Sequence, residues 1–94
     1  GTFMEDALVF DPNERVDKDD LFAVFKKWCL AKNIAYGTDL TFKRRFLASV
    51  QDRRITSELV RVNGERAHFY IGVGLTPKAK KYVESLGNFK EDIF

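Results

Sequence analysis

The 94 residues include 45% hydrophobic side chains, with nine Phe, three Tyr and one Trp, which excludes a disordered segment and fits one small domain with its own core. One Cys and one His exclude a disulfide framework and argue against structural zinc, and no apolar run approaches the roughly 20 residues that cross a bilayer. The formal net charge is only +2, yet residues 41–68 hold seven basic side chains against three acidic ones, and six of the seven are Arg, whose fork fits phosphate oxygens.

Residues 3–9 are predicted to form a short helix stopped by Asp11-Pro12-Asn13, or to fray as an N-terminal segment outside a core spanning about residues 14–86. Asp17 is placed to N-cap a clear amphipathic helix, with Asp20 three residues on imitating a capping box. Leu21, Phe22, Val24, Phe25, Trp28 and Cys29 then recur at helical spacing, and Asn33 ends the run. Cys29 on that stripe is read as a small core residue. Gly37 suits a bend after Ile34-Ala35-Tyr36, and Thr38 opens a second helix running to about Val50. There Phe42, Phe46, Val50 and Leu47 are expected to face the core, leaving Thr41, Arg44, Arg45 and Ala48 outward.

After a polar break at Gln51-Asp52-Arg53-Arg54 the period changes to two. Residues 55–62 and 65–73 read as strands joined by Asn63-Gly64, the dipeptide that type I′ hairpin turns favour. This turn sets Val62 opposite Glu65, Arg61 opposite Arg66, Val60 opposite Ala67 and Glu58 opposite Phe69. Val60, Val62, Ala67, Phe69, Ile71 and Val73 are expected on the core face, with Arg61, Arg66 and His68 on the other. Two arginines held opposite each other repel, and such a pair is best tolerated where an anion sits between them. Thr76-Pro77 marks the start of a last helix, docked by Tyr82 and Leu86 and capped by Gly87, with 88–94 as a tail.

Helix, helix, two-stranded ribbon, helix is the order of an α+β winged helix-turn-helix, here with its second helix and wing in the basic middle third. In such proteins the second helix enters the major groove with its N-terminal residues toward base edges. The candidate nucleic-acid-binding residues are therefore Thr38, Thr41, Lys43, Arg44 and Arg45 on that helix, Arg53 and Arg54 behind it, and Arg61, Asn63 and Arg66 on the wing. Asp39 and Glu65 lie where phosphates would approach and temper the affinity.

Other chemistry finds little support. The segment Gly72-Val73-Gly74-Leu75-Thr76-Pro77-Lys78 departs from the Walker pattern, since Pro77 precedes the lysine. His68 has no neighbouring nucleophile, and Asp17, Asp19 and Asp20 are explained by capping and the helix dipole. No catalytic, metal or cofactor residue is expected, and the domain is read as a non-enzyme.

The chain resembles the C-terminal winged-helix domain of phage and plasmid DNA primase-helicases, a group related to poxvirus-type primase-helicase ATPases. The resemblance covers about Met4 to Leu75. It rests on Val16-Asp17-Lys18-Asp19-Asp20-Leu21-Phe22 leading to Phe25-Lys26-Lys27-Trp28-Cys29, on Phe42-Lys43-Arg44-Arg45-Phe46-Leu47, on Arg61-Val62-Asn63-Gly64-Glu65-Arg66 and on Tyr70-Ile71-Gly72-Val73-Gly74-Leu75. It implies a cytoplasmic replication protein of a phage or mobile element, of which this is a fragment beginning at Gly1-Thr2. The implied partners are duplex or forked DNA and the helicase and primase domains of the parent chain, with the fragment monomeric and not membrane-bound. The alternative is a winged helix that docks on the helicase domain or a loader.

Overall fold

The computed structural model describes residues 2–81. The order is α1 (Phe3–Ala7), β1 (Leu8–Asp17), α2 (Lys18–Ala31), α3 (Asp39–Ser49), a 3-10 turn (Gln51–Arg53), β2 (Thr56–Val62) and β3 (Glu65–Leu75). The three strands make one antiparallel sheet in the order β1-β3-β2, so the chain is α+β. Residues 77–81 are helical after Thr76. The anchors Tyr82 and Leu86, the cap Gly87 and the tail 88–94 lie outside the described residues.

The helix starts follow the predicted chemistry. The Asp17 carboxylate accepts from the N–H groups of Asp19 at 2.7 Å and Asp20 at 3.2 Å, so two amides that helix geometry leaves orphaned are satisfied. Thr38 caps α3 by accepting from the Thr41 N–H. Helix α2 ends at Ala31, and Asn33 adopts φ 57°, the left-handed conformation that terminates a helix.

The N-terminal segment departs from expectation. Helix α1 stops at Ala7, and Asp11-Pro12-Asn13 lies inside strand β1 instead of ending a helix over residues 3–9. An edge strand tolerates proline because one side of it has no ladder to complete. The register slips between Phe10 and Arg15, where the Asn13 N–H turns back onto the Asp11 carboxylate at 2.8 Å. The segment is also structural: Phe3, Ala7 and Leu8 are buried in the main core, ahead of the expected start of the core near residue 14. Phe3 meets Phe25, Trp28 and Phe42 edge-on at 5.1, 5.7 and 6.2 Å.

The hairpin register is the predicted one, with Asn63 at φ 53° and Gly64 at φ 82° in the turn. The buried face is not. Tyr70 is 1% exposed and Val73 0%, whereas Ala67, Phe69 and Ile71 are half-buried. Positions 70 and 73 differ in parity, and Gly72, at φ 98°, lies between them. A left-handed residue in a strand shifts the alternation by one, so Tyr70 points to the helices on one side of Gly72 and Val73 and Leu75 do so on the other. Arg61, Arg66 and His68 therefore share the face of Tyr70, the side of the sheet on which the helices pack. Leu47 is also corrected: it is 45% exposed, while Phe42, Phe46 and Val50 are buried. Those three aromatic and aliphatic side chains already fill the contact of α3 with the core.

Candidate nucleic-acid interface

Helix α3 presents three faces. Phe42, Phe46 and Val50 point inward, and Phe46 meets Tyr70 of β3 with ring centroids 4.9 Å apart. At about 100° per residue, Lys43 lies to one side of that buried stripe and Arg45, about 200° further round, to the other. Thr41, Arg44 and Ala48 are exposed, as expected for an outward face. So are Leu40 and Leu47.

Lys43 shares a cleft with the hairpin. Together with Arg66, Ala67 and His68 it lines a cleft whose other wall is the start of α2, Asp17 to Asp20, with Glu65 at its rim. The Lys43 ammonium also pairs with Asp39 at 3.0 Å on its own helix. Hydrogen bonding to that carboxylate, with Coulombic help from Asp39 and Asp19, holds the Lys43 pKa above its ordinary value. Lys18 projects over the Tyr70 ring at 4.6 Å, and burial raises the phenol's pKa. The cleft thus holds three lysine or arginine cations opposed by four carboxylates, and a phosphate inside it would meet both signs.

At the hairpin wall of the cleft Arg66 stands beside a second arginine. Arg61 and Arg66 are directly opposite on β2 and β3, both exposed, with Asn63 at the turn beside them. The flanking pair, Val62 and Glu65, closes the turn, so the arginines occupy the adjacent non-hydrogen-bonded position, where side chains approach most closely. Neither arginine has an ion pair among the described residues. At the start of α3 the Thr38 hydroxyl donates to Thr41 Oγ1 at 2.9 Å, so these two hydroxyls are mutually satisfied while exposed.

The remaining candidates lie elsewhere. Arg45 lines a groove with Phe3, Met4 and Tyr36 on the flank of α3 away from Lys43. Arg53 stacks its guanidinium 4.2 Å from the Phe10 ring of β1. Arg54 closes the 3-10 turn at φ 54°, and its carbonyl neighbours Gly72. Six residues of strand, about 20 Å, separate Gly72 from Arg66. Of the ten sequence candidates, Lys43, Arg61, Asn63 and Arg66 gather at the hairpin side. Arg44 and the threonines face solvent on α3, and Arg45, Arg53 and Arg54 stand apart. The sequence reading missed Lys18, because its position above Tyr70 depends on which face of β3 is buried.

Among the described residues no group of three or more His, Cys, Asp or Glu side chains is arranged to hold a metal ion, and no helix is long and apolar enough to cross a membrane. Comparison of the chain with protein-family models, curated proteins and solved structures gives no match.

Proposed function

We propose that this chain is a winged-helix module that binds DNA through the outer face of α3 and the β2–β3 hairpin. The order α-β-α-α-β-β with a β1-β3-β2 sheet supports the winged-helix reading, because α2 and α3 form the helix pair and β2–β3 the wing. The observation that carries the function is the cross-strand pair of Arg61 and Arg66 on the side of the sheet that also receives Lys43. Two guanidinium groups that face each other with no ion pair among the described residues are stabilised by an anion between them, and a phosphate backbone supplies a row of anions. In this reading Arg44, Thr38 and Thr41 approach the base edges and Arg61, Asn63 and Arg66 the backbone. The module is not itself catalytic. By resemblance it anchors a phage or mobile-element primase-helicase on duplex or forked DNA.

Fluorescence anisotropy with a labelled duplex and a labelled fork at several salt concentrations tests the proposal. Phosphates neutralised by Lys43, Arg61 and Arg66 give log K a slope of roughly −3 against log salt. Arg44→Ala/Arg61→Ala/Arg66→Ala should abolish binding and Arg53→Ala should leave it intact. Absence of binding at low salt rejects the reading.

A second reading, docking on the helicase domain or a loader, is favoured by Leu40 and Leu47, which are 59% and 45% exposed one above the other on α3. Retained association with the helicase domain by a chain that ignores DNA would select it.

A further inference from the structure

On the flank of α3 opposite the hairpin, α1, the 34–37 connection and α3 enclose an open groove of about 570 Å³. Its walls are largely aromatic, with Phe3, Phe25, Tyr36 and Phe46 prominent, and Met4 adds an adaptable thioether. The size is that of sites that receive a ligand, and the composition is that of a groove for apolar anchors. Among the described residues Arg45 is the sole charged side chain lining it, and it has no ion pair there. A second cation lies against one of the aromatic walls: the Lys26 ammonium is 5.9 Å from the Tyr36 ring and 5.2 Å from the Phe22 ring. Tyr36 in that wall, and Ile34 two residues before it, are large side chains that the fold leaves exposed.

We infer that this groove docks an acidic amphipathic segment of a partner protein, its apolar side chains seated among the aromatics and its carboxylates paired with Arg45 and Lys26. Charge complementarity selects this occupant. A cationic segment would bring like charges against Arg45, and a purely apolar one would leave the guanidinium pressed against hydrocarbon without a counter-ion. Helix-in-groove recognition uses this combination of spaced apolar anchors and rim charges. The hairpin takes no part in it, and Thr41 is the one residue that borders both this groove and the proposed DNA-binding face.

The test uses the full chain and a synthetic amphipathic peptide with Leu and Phe at i, i+4 and i+7 and Glu between them, beside a twin with Lys in place of every Glu. Binding is followed by anisotropy and by two-dimensional NMR. The acidic peptide should bind saturably, shift the resonances of Met4, Tyr36 and Arg45, and exceed its twin by about tenfold, as a charge pair at an interface allows. Arg45→Glu should invert that preference, whereas Arg61→Glu/Arg66→Glu should leave it unchanged. Equal binding of the twins, no binding of either, or shifts confined to the hairpin would overturn the proposal. Concentration-dependent shifts of Met4 and Tyr36 without peptide would also overturn it, by naming a second copy as the occupant.

Discussion

The indole N–H of Trp28 donates to the carboxylate of Asp6 at 3.0 Å, tying helix α2 to the N-terminal helix across 22 positions. Asp6 is a junction in a second way, because the Thr76 hydroxyl donates to its carbonyl at 3.0 Å and the Thr76 N–H to that of Ala7 at 2.8 Å. The start of the chain, the long helix and the segment that leaves the sheet are thereby joined at one point.

That junction makes stability depend on pH. The indole donor, opposed by partial burial and aided by nearby Lys32 and Lys78, holds the Asp6 carboxyl below its ordinary value. A pKa lower in the folded chain means that the stabilisation is complete above the unfolded value of about 3.9 and is lost as pH falls through the folded one. The melting temperature of Asp6→Ala should therefore lie below that of the wild type near neutrality, and the gap should narrow as the medium is acidified below about pH 4. A gap unchanged down to low pH would remove the carboxylate from the account.

Loss of the α2 cap should be measurable on its own. Asp17→Ala removes the acceptor for two amides and should cost about 1 kcal/mol in urea unfolding, with an unchanged m-value.

Gly72 can be probed directly. Its φ of 98° is strained for any side chain, and a Cβ there would stand 3.2 Å from Ile55 Cδ1. Gly72→Ala should destabilise the fold by about 1–3 kcal/mol. If it proved neutral, the change of face between Tyr70 and Val73 would need another cause.

The two faces of β3 give unequal costs. Tyr70→Ala empties a fully buried site and should cost about 3–5 kcal/mol, while Ile71→Ala, one residue on and half-buried, should cost clearly less. Equal losses would contradict the assignment of faces.

Stability and binding separate at the hairpin. Arg61→Glu replaces a repulsive cross-strand pair with an attractive one, and should gain about 0.2–1 kcal/mol in thermal or urea unfolding. The same change should weaken DNA binding in the anisotropy assay. A variant that gains stability and still binds DNA as tightly would detach the arginine pair from function.

Local chemistry made much of the fold legible in the sequence. The Asp17 and Thr38 caps, the Leu21–Val24–Cys29 stripe and the Asn63-Gly64 turn act through neighbours within a few residues, so helix starts and hairpin register follow from spacing alone. Strand β1 was hidden because Asp11-Pro12-Asn13 is a local stop signal, and it forms only because β3 offers a long-range partner. The buried face of β3 was hidden because one left-handed glycine reverses the parity that the alternation rule assumes.

The candidate site divides in the same way. The sequence by itself determined that arginines crowd the middle third of the chain and that Arg61 opposes Arg66. Only tertiary packing decided that Lys43 joins Arg66 while Arg45 turns to an aromatic groove, because neighbours on a helix diverge by about 100° per residue and the core chooses which direction is inward. Composition counts charges, and the burial of Phe42, Phe46 and Tyr70 assigns them to surfaces.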